Sequence, residues 1–216
     1  MSAMLDVVDV TQSYGSGSDV AIVLHAVSVQ VAAAEIVALA GRSGSGKPTL
    51  CHLIAGLERP AIGTIHVAGR PAHTIKDWAA VSLLPQRLGL ADELTVAENV
   101  LLPRRLRPGR VAATSADALL AALGLASIAG RLATQTSLGE QQRTAIARAL
   151  VLHPDLAVLD EPTGHQDDER VDLVLAALKL AQSVGTAILV ATHDERILAA
   201  ADRVVRLQSG RVVDGP

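Results

Sequence analysis

The chain has 216 residues, enough for one domain with a substantial core, and 19 Lys and Arg against 22 Asp and Glu give a formal charge of −3. This charge gives no electrostatic reason to expect a nucleic-acid partner. A single cysteine excludes an internal disulfide, and no uncharged apolar run approaches the ~20 residues that a membrane-spanning helix needs. We therefore expect a protein that reaches a membrane only through a partner.

The first part of the chain is predicted to be mostly β-strand. The predicted strands cover residues 5–10, 20–31, 36–40, 64–67 and 81–84. A polar turn that contains Tyr14 separates the first two, which are expected to be antiparallel. The third is continuously apolar, as in a parallel strand covered on both faces, and the fourth is predicted to be an edge strand.

A glycine-rich loop follows the third strand and leads into a predicted helix. Its residues, in order, are Gly41, Arg42, Ser43, Gly44, Ser45, Gly46, Lys47, Pro48 and Thr49. Strand, glycine-rich loop and helix form the phosphate-binding P-loop, in which backbone N–H groups turn inward and Lys47 reaches the outer phosphates. Pro48 departs from the pattern, which requires Ser or Thr there because that hydroxyl ligates the Mg²⁺ carried by the nucleotide.

The second part of the chain alternates helices with buried strands. Residues 87–153 are helical in character, with a break at 103–109 and helices at about 115–123 and from Gly139 or Glu140 to 152. Strands at 156–159, 187–191 and 204–207 alternate with helices, of which the one at 168–184 carries Leu173, Leu175, Leu178 and Leu180 near one side. This alternation predicts an α/β fold with a mostly parallel sheet.

Two carboxylates, Asp160 and Glu161, end the strand at 156–159. The carboxyl end of such a strand is where an α/β sheet gathers its ligand site. One carboxylate there can hold Mg²⁺, directly or through water, and a second can polarise an attacking water. Together with the P-loop upstream, the pair predicts a site for phosphoryl transfer.

These motifs, in this order, resemble those of the ATP-binding-cassette (ABC) ATPases, the nucleotide-binding subunits of transporters, along nearly the whole chain. Residues 41–49 match the Walker A loop and residues 156–161 match Walker B. The run Thr136-Ser137-Leu138-Gly139-Glu140-Gln141-Gln142-Arg143 matches the family signature, usually Leu-Ser-Gly-Gly-Gln/Glu, which other P-loop NTPases lack. Residues 94–100 with Pro103 resemble the lipoprotein-releasing and macrolide-export group.

The resemblance implies a role for each matching residue. Around the nucleotide, Tyr14 would stack on adenine and Thr49 would serve the α-phosphate. Ser137 and Gly139 would complete the site of an opposite subunit, and Glu140 beside them would also bind nucleotide. In catalysis, Glu161 would be the catalytic glutamate and His193 the switch residue that contacts the γ-phosphate. Gln86 would contact metal and attacking water, Asp160 would hold the metal, and Asp167 would end the D-loop.

The resemblance also implies an architecture and partners. We expect a P-loop NTPase core with an antiparallel β subdomain at about residues 1–86 and 154–216, and an inserted α-helical subdomain at about 87–153. The expected ligands are ATP and Mg²⁺. The expected partners are a second cassette, identical or different, and a transmembrane permease on the cytoplasmic side of the cell membrane, with no nucleic acid.

Alternatives stay open at this point. Pro48 is compatible with a degenerate cassette that binds ATP, hydrolyses it poorly and acts as a regulatory or structural subunit. Non-transport cassettes are disfavoured, because the chain has neither a long coiled-coil insertion nor a second cassette.

Single residues also have simpler interpretations. Tyr14 could be only a turn residue, and His193 only a structural histidine. A basic cluster consists of Arg104, Arg105, Arg107 and Arg110. We interpret it first as a solvated loop, second as a contact with the permease and third as a nucleic-acid site. The histidine at position 165, His165, has no physical explanation.

Overall fold

The computed structural model describes residues 3–15, 19–106, 116–164, 166 and 168–214. Its strands are β1 (Leu5–Tyr14), β2 (Ala21–Val31), β3 (Ile36–Ala40), β4 (Ile62–Val67), β5 (Arg70–Pro71), β6 (Val81–Leu84), β7 (Leu156–Asp160), β8 (Ala187–Thr192), β9 (Arg203–Gln208) and β10 (Arg211–Asp214). Its α-helices are α1 (Lys47–Ile54), α2 (Val96–Leu106), α3 (Ala116–Ala122), α4 (Leu138–Leu150), α5 (Asp168–Ser183) and α6 (Glu195–Ala200). The predicted α/β fold is confirmed.

The larger sheet has the strand order β10-β9-β3-β8-β7-β6. All neighbours in it are parallel except β10, which is antiparallel to β9. Every residue of β3, β7 and β8 is buried, because helices cover both faces of these apolar strands. Their carboxyl ends lie side by side, with Ala40 opposite Thr192 and Asp160 opposite Ala191. The predicted mostly parallel sheet is therefore present, and it brings the P-loop next to the paired carboxylates.

The smaller, antiparallel sheet has the order β2-β1-β4-β5. The prediction that residues 64–67 form an edge strand is wrong. A turn at Ala68 and Gly69, both with positive φ, folds the short strand β5 back onto β4. Tyr14 is also not in a turn. It is the last residue of β1 and pairs with Ala21, because irregularities in the register let the pairing with β2 continue to that point.

The helices α2, α3 and α4 lie between β6 and β7 in the chain, and the limits 87–153 for a helical subdomain stay a prediction. The predicted break at Pro103 is wrong, because α2 continues through it to Leu106. Val96, Asn99, Val100 and Pro103 are buried and recur at the spacing of one helix face. Burial of this face offsets the backbone hydrogen bond that the proline removes. The rest of the predicted break, at 107–109, lies outside the described residues.

The predicted leucine side of α5 is only partly correct. Leu178 is buried, whereas Leu173, Leu175 and Leu180 are half-buried. The buried face consists of Leu178 together with Val171, Val174, Ala177 and Ala181. These residues are three or four positions apart and therefore share one side of the helix, which the smaller side chains fill against the sheet.

Strands β9 and β10 form a hairpin, of which the sequence predicted only the first strand. Ser209 and Gly210 have φ values of 46° and 72°, which suit a tight two-residue turn between β9 and β10. The N–H of Gly210 donates to the carbonyl of Ser45 at 3.1 Å, and its carbonyl accepts from the N–H of His25 at 2.8 Å. The hairpin therefore joins the P-loop to the antiparallel sheet.

A buried amide organises the approach to α2. Asn99 is fully buried, and its Nδ2 donates to the carbonyls of Ala91, Leu94 and Thr95 at 3.0, 3.2 and 3.1 Å. Its Oδ1 accepts from the N–H of Ala91 at 2.8 Å. One side chain thus satisfies several backbone groups of a loop that has no regular structure of its own.

Within the described part of the chain, no helix is both long and apolar enough to cross a membrane.

We predict that Asn99→Ala destabilises the protein. The N–H of Ala91 would lose its acceptor, and three carbonyls would lose a donor, at a cost of about 2–3 kcal/mol. For a chain of this length, this corresponds to a melting temperature lower by about 5–10 °C. Thermal unfolding followed by circular dichroism measures the shift. Gln182→Ala, which removes a partly exposed amide, is the control, and an equal shift in both variants would contradict the prediction.

Candidate functional site

The P-loop is shaped by its glycines at two positions. Gly46 has a φ of 101°, and a Cβ there would lie 2.7 Å from Cδ2 of Leu24. A Cβ on Gly41 would lie 2.5 Å from the carbonyl oxygen of Leu207. Gly46 is the N-cap of α1 and provides no side chain to cap it, so the first N–H groups of the helix have no acceptor from the cap residue. This arrangement is suited to an anion.

Lys47 begins α1 and is buried, with 5% of its surface exposed. Its Nζ donates to the carbonyl of Gly41 at 2.6 Å and lies 3.5 Å from Oε1 of Glu161. A buried ammonium group requires such partners, because removing it from water is costly. The lysine therefore ties the P-loop to the end of β7.

Glu161 lies at the centre of the site. Its backbone has a φ of 49°, a left-handed conformation that residues other than glycine rarely adopt. Its Oε2 is 3.0 Å from Nδ1 of His193, which is mostly exposed just after β8. Lys47, Glu161 and His193 thus form a continuous chain of polar contacts across three neighbouring strand ends. The structure brings these three predicted residues together.

Asp160 and Ser45 each have a buried oxygen without a hydrogen-bond partner among the described residues, Oδ1 and Oγ respectively. Asp160 is 2% exposed. Burial, and then the neighbouring Glu161 carboxylate, raise the pKa of Asp160, while Lys47 and His52 act in the opposite direction. Buried polar atoms are normally satisfied, so oxygens left open beside a P-loop fit a nucleotide and its cation.

Pro48 is exposed at the second position of α1, and the helix forms around it as predicted. An N–H at this position would have no helical acceptor, so the proline removes no hydrogen bond of the helix. The site does lack a hydroxyl at this position. The next hydroxyl along the helix, on half-buried Thr49, is close enough to Tyr14 to influence the pKa of its phenol.

Tyr14 lies beside the start of α1 with 41% of its surface exposed. Its hydroxyl donates to Oε2 of Glu58 at 2.7 Å. Burial, and then Glu58, raise the pKa of Tyr14, whereas Gln12 and Thr49 lower it. The tyrosine is therefore held next to the P-loop helix, and its stacking on adenine stays a prediction.

The predicted signature residues form the start of α4 rather than part of the P-loop cluster. Ser137 is the N-cap, its Oγ accepts from the N–H of Glu140 at 3.3 Å, and its own N–H donates to Oε2 of Glu140 at 2.8 Å. That second bond is the main cause of the lowered pKa of Glu140. The helix begins at Leu138, slightly before the predicted start at Gly139 or Glu140. Among the described contacts, no hydrogen bond or ion pair joins Ser137, Gly139 or Glu140 to the P-loop.

The remaining predicted residues lie outside the cluster formed by Lys47, Glu161 and His193. Gln86 is exposed, two positions after β6, at the same sheet edge as Glu161. Arg104 and Arg105 belong to the last turn of α2 rather than to a loop, and Arg105 lies 3.7 Å from Glu98. Outside the described residues lie Arg107, Arg110, His165 and Asp167.

Two glutamines of the site were not predicted. Nε2 of Gln142 donates to the carbonyl of Glu161 at 2.9 Å. Gln166 accepts from Nη1 of Arg143 at 2.6 Å and donates to the carbonyl of Gly139 at 2.9 Å. Sequence reasoning had no signal for these contacts, because the partners are many positions apart. The Ser137 cap, in contrast, could have been found from the Ser-x-x-Glu pattern of a capping box.

The chain is similar to known proteins along most of its length. A family model described as ABC transporter matches residues 24–164. The lipoprotein-releasing system ATP-binding protein LolD of Anaeromyxobacter dehalogenans is 41% identical, over 96% of this chain and 92% of that protein. The macrolide export ATP-binding/permease protein MacB of Salmonella paratyphi A is 36% identical over all of this chain, which spans 35% of that protein.

Solved structures of ABC transporter cassettes are also similar to this chain. The dimeric structure of MJ0796, a bacterial ABC transporter cassette, has a TM-score of 0.88 and 29% sequence identity, over 99% of this chain and 98% of that one. A dimeric post-hydrolysis state of the same cassette, bound to ADP and Pi, has a TM-score of 0.88 and 28% identity, with the same coverage.

We predict that Asp160→Asn stabilises the nucleotide-free protein at pH 7. A raised pKa means that the folded state holds the proton more tightly than the unfolded chain, so stability is lost as the pH rises through the window above the ordinary pKa of Asp. Asn keeps the size of the side chain and removes the buried charge. We expect the variant to melt a few degrees higher than the parent at pH 7.

This advantage should shrink as the pH is lowered towards the ordinary pKa, where Asp160 of the parent takes up its proton. Melting temperatures of both proteins between about pH 7 and pH 4.5 test the trend. Asp92→Asn, at an exposed carboxylate, is the control and should show no such trend. A variant that melts below its parent throughout this range would show that ionised Asp160 does not destabilise the fold.

Proposed function

This chain belongs to the ABC transporter family, and we propose that it hydrolyses ATP at a site formed by the P-loop, Asp160, Glu161 and His193 in order to drive a membrane permease. The observation that carries the proposal is the chain of contacts from Lys47 through Glu161 to His193. It connects a phosphate-binding lysine, a carboxylate and a histidine at the carboxyl edge of a parallel sheet, where α/β proteins bind their ligands.

In this proposal the P-loop binds the phosphates. The backbone N–H groups at the start of α1 and the ammonium of Lys47 face the negative charge of ATP. Lys47 then exchanges its contact with Glu161 for one with the outer phosphates. The unpaired oxygen of Asp160 supports a role for this carboxylate in holding Mg²⁺ of the nucleotide, with Gln86 as a second ligand from the same sheet edge.

Once Lys47 is engaged with phosphate, the Glu161 carboxylate is available to a water. It orients that water and accepts its proton as the oxygen attacks the γ-phosphorus. The bond between the γ-phosphorus and the bridging oxygen breaks, and ADP and inorganic phosphate are the products. His193 is hydrogen-bonded to Glu161 and mostly exposed, which supports a role for it in contacting the γ-phosphate.

We further propose that the working unit contains two cassettes. Among the described hydrogen bonds and ion pairs, none joins Ser137 or Gly139 to the P-loop of the same chain, and Ser137 is exposed while Gly139 is half-buried. A second cassette can therefore approach them. The Ser137 hydroxyl accepts the capping hydrogen bond and still has its own proton to donate. The similar MJ0796 structure is dimeric. Attachment to a permease would place the pair at the cytoplasmic face of the cell membrane.

A second candidate is favoured by one observation, the absence of a hydroxyl at Pro48 in the first turn of α1. In this alternative the cassette binds ATP, hydrolyses it slowly, and serves as a nucleotide-dependent regulatory or structural subunit. The two candidates differ in the rate of Mg²⁺-dependent turnover rather than in nucleotide affinity.

We predict that Glu161→Gln keeps ATP binding and slows hydrolysis by at least about 100-fold, because the amide cannot accept the proton of the attacking water. Phosphate release measures turnover, and isothermal titration calorimetry measures affinity. With ATP trapped in the site, the variant should elute as a dimer in size-exclusion chromatography, and without ATP as a monomer.

Glu93→Gln, at an exposed carboxylate, is the matched control and should behave as the parent does. Unchanged turnover in Glu161→Gln would remove Glu161 from the catalytic role. A monomer under saturating ATP, with binding established separately, would count against the two-cassette unit.

We predict that Pro48→Ser raises Mg²⁺-dependent ATPase activity at least several-fold with little change in melting temperature. A charged hydrogen bond or metal contact is worth about 1.5–3 kcal/mol, or one to two decades in rate if it is felt in the transition state. Turnover is measured against Mg²⁺ concentration.

Pro48→Ala separates the two consequences of this substitution, because it restores the backbone N–H without a hydroxyl. If the hydroxyl matters, Pro48→Ser exceeds Pro48→Ala. If the parent saturates at ordinary Mg²⁺ with the same turnover as Pro48→Ser, the proline is silent and the second candidate loses its support.

A further inference from the structure

The backbone of Glu161 is held in its left-handed conformation by three hydrogen bonds. Its N–H donates to the carbonyl of Ala191 in β8 at 2.8 Å. Its carbonyl accepts from the N–H of Gly164 at 3.2 Å, within the same turn, and from Nε2 of Gln142 at 2.9 Å. The bond from Gln142 differs from the others because it comes from a side chain on another element, α4.

Gln142 is itself held firmly. It is 3% exposed, in the second turn of α4. The adjacent Arg143 is also buried, and its Nε donates to the carbonyl of Leu123 at 2.9 Å. Gln166 bonds to both Arg143 and the carbonyl of Gly139, which connects the same helix to the segment that follows Glu161. The donor on Gln142 therefore has a fixed position relative to the strand end.

We propose that Gln142 is a positioning residue for Glu161. The side chain of Glu161 leaves the backbone in a direction set by its φ and ψ, and this direction places the carboxylate between Lys47 and His193. Gln142 fixes the carbonyl of the same residue and therefore opposes rotation of the peptide towards the commoner conformations with negative φ. Without this donor, the carboxylate spends less time where it can orient a water.

The inference rests on the proposed role of Glu161 as the base. Gln142 does not touch the nucleotide or the water in this proposal. Its effect should therefore be seen in the rate of the chemical step and not in nucleotide binding.

The test is Gln142→Met, which keeps the length and the packing of the side chain and removes its N–H donor. We expect kcat to fall about tenfold, with the KM for ATP, the ATP affinity and the melting temperature close to those of the parent. Gln182→Met is the matched control, because Gln182 also donates to a backbone carbonyl, that of Ala34 at 2.9 Å, far along the chain from the site. Its turnover should be unchanged.

Gln142→Leu is a second variant, which also removes the donor and buries no charge. It should lose activity in the same way, and it serves if Gln142→Met melts below the assay temperature. Turnover equal to that of the parent in a folded Gln142 variant would overturn the proposal.

A double mutant separates positioning from a general structural role. In the Glu161→Gln background, Gln142→Met should slow single-turnover hydrolysis of labelled ATP by less than twofold, because the group that it positions no longer acts as a base. A tenfold loss in both backgrounds would show that Gln142 acts elsewhere. If Glu161→Gln alone turned over as fast as the parent, the proposed base would fail instead, and the two failures are thus distinguishable.

Discussion

The site depends on a charge that is buried inside the protein, the ammonium of Lys47. The carbonyl of Gly41 and the carboxylate of Glu161 stabilise it there, and the carboxylate of Asp160 adds a favourable electrostatic interaction. The carbonyl belongs to the P-loop after β3 and the Glu161 carboxylate to the end of β7. The spacing of these parallel strands therefore sets how closely both groups approach the ammonium. In the proposed mechanism, an incoming phosphate would compete with Glu161 for the lysine, and this exchange would free the carboxylate for the water.

The parts of the fold that sequence could predict are those whose cause is local. The buried strands β3, β7 and β8 are continuous apolar runs, and their parallel arrangement follows from the helices between them. Because parallel strands end at one edge, the sequence also predicted that the P-loop and Asp160 with Glu161 would meet. The glycine pattern identified the phosphate cradle without any knowledge of tertiary contacts.

The features that sequence could not predict are decided by packing between distant segments. Pro103 remains inside a helix because the face around it is buried. The core side of α5 is formed largely by Val and Ala, with only Leu178 from its leucines. The bond between Gln142 and Glu161 joins two elements whose closeness is known only after the chain has folded. Tyr14 became part of a strand because a neighbouring strand was there to pair with it.

The hairpin turn at Gly210 constrains how the protein can be made. The P-loop is synthesised well before β8, β9 and the turn whose N–H bonds to Ser45. The nascent chain therefore carries a phosphate-binding motif long before the strands that shape it exist. ATP stabilises only a state to which it binds, so it cannot stabilise the site before these strands have been made, and the central sheet can close only after β9 has been synthesised.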